Sequence, residues 1–507
     1  MIVLDGESLD LAAIVRIADG AEPVSLSAAA GQRVEAARRI VDRSAEGTEA
    51  VYGVNTGFGS LAEVRIPNES LAELQLNLLR SHAAGVGDLL PPRVVRGVMA
   101  LRANVLAKGH SGVRRETLDA LLNLLNAGVV PAVPSRGSVG ASGDLAPLAH
   151  LALVLVGEGW VLDRGNMGQR VRGSDALRAA GLSAVTLQPK EGLALINGTQ
   201  PSTAVLALAL ADALRLARAA DIVAALTVDA LRGSRRPFEP RIHDARPFDG
   251  QRASASNLWR LLEGSAINKS HEHCGQVQDA YSLRCAPQVH GAARDALAFV
   301  QRVVEVEANA ATDNPMVFAR DGDVVSGGNF HGAPIAIAAD LTAIAVAQLA
   351  SISERRSDRL LNPSLSGLPA FLTKQSGLHS GLMMAQVTAA ALVSEIKTLG
   401  HPASVDSIPT SAGREDHVSM SMGAALKAAH AVALARDVVG IELLCACQAI
   451  DLLAPLATSP PLARVHARVR EIVPTLGADR PPSPDIAAIG ALLASGEVEH
   501  ACAMDVK

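Results

Sequence analysis

The chain has 507 residues, 46 of them basic and 51 acidic, for a formal net charge of -5 at neutral pH. That length exceeds what one hydrophobic core usually fills, so two lobes or one large helical body are expected. Opposite charges are interspersed without a basic stripe for phosphates or anionic lipid, so nucleic-acid and membrane partners are not expected.

Residues 1–20 carry acids inside an apolar stretch and lack the basic start of a secretory leader. A cytoplasmic protein is expected. The odd number of cysteines, five, fits reduced thiols, mostly small core residues, better than a disulfide framework. Over 27–45 a helical apolar pattern starts at the cap-type Ser27 and stops at Gly47. Over 92–108 proline opens a helix and Gly109 ends it. Up to residue 200 the elements are short and broken by Gly- and Pro-rich loops, above all 52–59 and 131–144. Beyond it, 203–231, 287–311, 334–361, 380–399 and 423–453 keep the i, i+3, i+4, i+7 pattern far past the mean helix length of ~12 residues. The most apolar runs, 203–211 and 341–353, end at charges short of the ~18 residues that span a bilayer. The expected fold is mainly α. Residues 201–507 form a long-helix bundle, and 1–200 form a loop-rich N-terminal lobe carrying the active-site loops.

Within 131–144 the run Gly140-Ala-Ser-Gly143 sits between a loop and a helix beginning near Asp144. A plain reading makes Asp144 an N-cap and Gly143 a turn residue, and leaves Ala-Ser-Gly without a purpose. Chemistry supplies one. In a tight bend the Gly143 nitrogen can attack the Ala141 carbonyl, since neither residue has the bulk to block the approach. Loss of water from that ring and of the Ser142 hydroxyl yields a methylidene-imidazolone whose exocyclic carbon is a strong electrophile. A hydrolase reading of Ser142 lacks the Gly-x-Ser-x-Gly elbow, and dinucleotide or phosphate loops lack their glycine spacing.

Gly140-Ala-Ser-Gly-Asp-Leu-Ala-Pro-Leu-Ala149 resembles the histidine and aromatic ammonia-lyase family, whose members make this prosthetic group. The resemblance extends to Tyr52-Gly-Val-Asn-Thr-Gly-Phe-Gly59, Asn197-Gly-Thr-Gln200, Gln278-Asp-Ala-Tyr-Ser-Leu-Arg-Cys-Ala-Pro-Gln288, Gly327-Gly-Asn-Phe-His331 and Glu415-Asp-His-Val-Ser419. It implies an aspartase/fumarase-like helical fold and a homotetramer whose pockets draw on more than one subunit. The prosthetic group would form from Ala141-Ser142-Gly143, with no external cofactor. It also implies site roles. Tyr52 is the base for the β-proton, Tyr281 and Asn197 lie against the prosthetic group, and Arg284 fixes the substrate carboxylate with two parallel hydrogen bonds. Gln278 and Phe330 line the pocket, and Gly327 and Gly328 allow close backbone approach.

Substrate choice rests on Ser81-His82 and on Glu415, which resemble the histidine-specific members; phenylalanine-type members carry glutamine at the latter position. A carboxylate can accept an imidazole N–H. The expected reaction is therefore elimination of ammonia from a small amino acid, histidine first, giving urocanate. A tyrosine or phenylalanine ammonia-lyase, or an aminomutase with the same prosthetic group, is the alternative. Arg414 stands where the family usually has an amide, and could retune selectivity. His271-Glu-His-Cys274 has metal-binding residue types but no second cluster at ligand spacing, so no metal is expected.

Overall fold

The computed structural model describes residues 1–163, 165, 169–272, 275 and 277–507. His273 and Cys274 of the His271–Cys274 motif lie outside the described residues. The chain is mainly α-helical, and among the described residues the sheets are short two-stranded pairs.

The expected long helices form as Gln200–Ala230, Ala286–Ala308, Ala333–Leu361, Met383–Leu399 and Ser421–Leu452. The two N-terminal examples form as Ala28–Glu46 and Pro92–Ala107. Ser27 caps the first, its hydroxyl accepting the Ala30 N–H at 3.1 Å. Gly109, at φ 82°, ends the second in the left-handed region that glycine alone enters without strain. Helix Ala333–Leu361 is long and apolar enough to cross a membrane by length and composition. The sequence reading, which cut this run at charges, understated it, because Asp340 is its only ionisable residue before Glu354. Most of its apolar window is buried inside the protein, as a core helix would be.

The chain divides into two compact units. The first comprises Met1–Leu208, Gln301–Asp340 and Pro402–Leu426. In it, helices Leu71–His82, Leu145–Leu155 and Glu191–Ile196 pack on one another. Strand Val86–Leu89, soon after His82, pairs antiparallel with Pro134–Arg136, which leads into the Ala141–Gly143 loop. His150 adds a second tie: its Nε2 accepts the Gly85 N–H at 3.1 Å. A cluster of Ala37, Ile40, Val41, Leu71 and Val317 takes in Val54 and so anchors the 52–59 loop.

The second unit comprises Ala209–Val300, Leu341–His401 and Lys427–Lys507. Its interior holds charged groups in pairs, as burial demands. Arg356 donates to both oxygens of Glu442, at 2.5 and 2.8 Å, and Asp221 accepts from Arg294 and bonds His290, each at 2.7 Å. Arg294 and the His290 bond hold the Asp221 carboxyl far below its usual range despite burial. Cys445, Cys447 and Cys502 are fully buried, as small core residues; burial pushes the Cys447 thiol up to about 12. Cys285 is half-buried.

Candidate active site

The Ala141–Gly143 loop is held from three sides. Gly143 has φ 69° and forms a parallel bridge with Gly198, against whose carbonyl any Cβ on Gly143 would collide. The next residue, Asp144, donates its N–H to the same Gly198 carbonyl at 2.8 Å. Gly140, at φ 68°, faces Ser419 and Ser421; Ser419 Oγ donates to the Gly140 carbonyl at 3.0 Å, and the Met420 N–H to the Val139 carbonyl at 2.8 Å. A larger residue at 140 or 143 would have to adopt a disfavoured φ and displace its neighbours.

Asp144 stands at the N-cap position of Leu145–Leu155, but its side chain does not cap that helix. Its carboxylate accepts from Ser138 Oγ at 2.5 Å and from the Ser202 N–H at 2.8 Å, so it caps the first turn of Gln200–Ala230 instead. Burial raises its pKa against these hydrogen bonds. The reason is positional: two segments meet at Asp144, and the longer helix has the unsatisfied N–H within reach.

Glu415 comes to the loop from far along the chain. Its Oε1 accepts a hydrogen bond from Ser142 Oγ at 3.0 Å, and its Oε2 accepts one from Thr410 Oγ1 at 2.6 Å. Thr410 and Glu415 also form an antiparallel bridge, Thr410 N–H to Glu415 carbonyl at 3.0 Å. The turn between them carries Ser411 and Ala412 at φ 50° and 56° and Gly413 at φ 80°. Turn residues Ser411–Gly413 lie beside Gly59–Leu61, the end of the Tyr52 loop. Arg414, on this turn, is exposed.

His82 is the last residue of helix Leu71–His82. Its Nδ1 lies 2.9 Å from the Leu78 carbonyl, which assigns the ring proton to that nitrogen and leaves Nε2 as the acceptor. Burial lowers its pKa, opposed by the Leu78 hydrogen bond and by the charge of Glu415. Ser142, Glu415 and His82 all belong to the first unit, and of the three Ser142 and Glu415 are in direct contact.

Asn197 ends helix Glu191–Ile196, and its carbonyl accepts from Arg102 Nη1 at 2.8 Å. Its side-chain Oδ1 is buried without a hydrogen-bond partner. Arg102, fully buried, also donates to Gln200 Oε1 at 2.7 Å and to the Ala194 carbonyl. Burial lowers its pKa to about 10, with Asp313 opposing. Tyr52 is half-buried and meets Phe58 edge-on at 6.5 Å. Phe330 is half-buried next to His331, whose ring stacks on His417 at 5.9 Å.

Gln278, Tyr281 and Arg284 belong to the second unit. Arg284 donates to Gln278 Oε1 at 3.1 Å and lies 4.6 Å over the Tyr281 ring, which is 72% exposed. Around Gly327 and Gly328 an added Cβ would meet nothing within 4 Å among the described residues, so no close approach on that side calls for glycine. The crowded glycine of that segment is Gly332, packed on Ser419 and Ser421. Sequence reasoning passed over Thr410 and Arg102, and gave Gly198 and Ser419 no role within the motifs that contain them. Thr410 had a signal, a β-compatible residue placed before Ser-Ala-Gly and paired with an acid after it, as a hairpin would pair them.

The family profile described as Aromatic amino acid lyase matches residues 9–471. Over 504 residues the chain is 58% identical to histidine ammonia-lyase of Anaeromyxobacter sp. (strain K), covering 98% of this chain and 99% of that relative. Among solved structures, histidine ammonia-lyase from Trypanosoma cruzi superposes with a TM-score of 0.92 at 46% identity, over 99% of this chain and 95% of that one. Tyrosine aminomutase from Streptomyces globisporus superposes with a TM-score of 0.94 at 39% identity, over all of both chains. With the loop around Ser142 built as described and the match running through nearly the whole chain, the protein belongs to the aromatic amino acid lyase family.

Proposed function

We propose that this protein eliminates ammonia from L-histidine to give trans-urocanate, as a carbon-nitrogen lyase. The observation that carries the reading is the hydrogen bond that sets the Glu415 carboxylate against Ser142. A carboxylate beside the reacting centre answers an imidazole N–H, and a phenyl ring has no donor to offer it. The full-length similarity to proteins named histidine ammonia-lyase supports the same substrate.

Ala141, Ser142 and Gly143 fit the methylidene-imidazolone of the family. Both flanking glycines hold left-handed φ, position 143 admits no Cβ, and Asn197 Oδ1 is left without a partner for a nearby polar group. When formed, the group supplies an electrophilic carbon that takes up an amine and turns it into a leaving group. No external cofactor is invoked. Tyr52 is assigned the β-proton, removed at its phenolic oxygen. Glu415 accepts the imidazole N–H and His82 edges the ring. Asn197 and Tyr281 bond at the prosthetic group, Arg284 orients the carboxylate, and Gln278 and Phe330 shape the pocket. A homotetramer, with pockets drawing on more than one copy, and a cytoplasmic setting complete the reading; the exposed Tyr281 fits the first and the free thiols the second.

The test is incubation of the purified protein with L-histidine, L-phenylalanine and L-tyrosine, following free ammonia and the organic product. Urocanate with ammonia from histidine alone is expected. A β-amino acid product would make it an aminomutase, and turnover of phenylalanine or tyrosine alone would overturn the substrate.

A further inference from the structure

The two oxygens of Glu415 are held differently. Oε1 accepts from Ser142 Oγ at 3.0 Å. That donor is temporary, because prosthetic-group formation removes the Ser142 hydroxyl as water, together with the Ser142 Cα proton. Oε2 accepts from Thr410 Oγ1 at 2.6 Å, and this donor stays. The Thr410 backbone is fixed to Glu415 in both directions, 3.0 Å one way and 3.4 Å the other, across a turn whose Ser411 and Ala412 hold left-handed φ. A short hydrogen bond to an ionised acceptor in such a closed turn is of the stronger kind.

We propose that Thr410 is the positioning residue for Glu415, clamping Oε2 so that Oε1, once freed of Ser142, is the oxygen presented to the substrate ring. The proposal rests on the assignment of Glu415 to the imidazole. Thr410 touches no reacting atom in this scheme; it acts by denying Glu415 its other rotamers, which a half-buried carboxylate on a surface turn would otherwise sample. The strain of two non-glycine residues at positive φ is consistent with a turn kept for where it points its flanking side chains.

The experiment compares Thr410→Val and Thr410→Ser with wild type in two assays. In the first, steady-state turnover of L-histidine is measured. Loss of one hydrogen bond to a charged group predicts a fall in kcat/KM of about 10- to 100-fold for Val, with Ser within about threefold of wild type. In the second, both substitutions are placed in the Ser142→Ala protein, which cannot form the prosthetic group, and binding of imidazolepropionate is measured by calorimetry. Val is expected to weaken it about tenfold and Ser to leave it near the parent value. Thermal melting accompanies both. A Val variant matching wild type in both assays overturns the proposal, as does an equal loss in Val and Ser together with a lowered melting temperature, which marks a structural role. If wild type does not turn over histidine, the substrate assignment fails by itself; the Ser142→Ala parent and its Thr410 variants then binding imidazolepropionate equally, or not at all, overturns the clamp as well.

Discussion

Ser142 Oγ donates a hydrogen bond to Glu415 Oε1 at 3.0 Å although 273 positions separate the two residues. The contact joins the residue that would become the electrophile to the residue that would read the substrate ring, so reaction type and substrate choice meet at one oxygen. Glu415→Gln keeps the shape and replaces a charged acceptor by a neutral one. It is expected to lower kcat/KM for histidine by about 10- to 100-fold, the worth of a hydrogen bond to a charged group, while mass spectrometry still finds the dehydrated loop. A Gln variant with unchanged kcat/KM would remove Glu415 from substrate recognition.

Tyr52 carries the base assignment. Tyr52→Phe retains the ring that packs edge-on against Phe58 and removes only the phenolic oxygen. Turnover is expected to fall about 10²- to 10⁴-fold with the prosthetic group still formed and the melting temperature unchanged. A variant with a normal rate would place the base elsewhere.

Gly198→Ala tests the support of the loop. At φ 155° its Cβ would press on the Thr312 carbonyl at 2.7 Å and run into Gln200 and Arg102, whose guanidinium already serves the carbonyls of Ala194 and Asn197. Overpacking of this kind costs about 1–3 kcal/mol. The variant should melt at a lower temperature and form little prosthetic group, read from its intact mass; wild-type stability and full dehydration would show that the loop tolerates the intrusion.

Stability should fall on mild acidification through His150. Burial, and secondarily the charge of Arg170, lowers its pKa, and its neutral Nε2 is the acceptor for the Gly85 N–H. A histidine whose folded pKa lies below its unfolded value near ~6.5 binds fewer protons folded than unfolded in that range. Stability is therefore complete above ~6.5 and declines as pH drops from there towards the lowered value. His82, also lowered by burial, adds to the same slope. Melting temperatures measured across this window should show a shallower decline in His150→Gln, which offers an oxygen acceptor that does not titrate; an identical slope would exclude His150 as a contributor.

The helical body was legible in the sequence because its signals are local. Ser27, Pro92 and Gly109 punctuate helices by their own backbone chemistry, and the long apolar periods marked Gln200–Ala230 and Ser421–Leu452 to within a few residues. The residues of the candidate site were legible only by resemblance to a family, since nothing local brings Glu415 to Ser142. What the sequence did not disclose depends on where segments meet. Asp144 looks like the cap of its own helix and caps another. An added Cβ at Gly327 or Gly328 would meet nothing within 4 Å among the described residues, while Gly332 takes the crowding. Thr410 matters through a turn whose left-handed Ser411 and Ala412 no propensity would predict.

The central claim is tested most directly by one comparison of wild type with Ser142→Ala, following urocanate formation from L-histidine alongside the mass of the Ala141-Ser142-Gly143 peptide. Wild type should release urocanate and show that peptide lighter by two waters, and the variant should show neither. Urocanate released by Ser142→Ala at the wild-type rate would contradict the account.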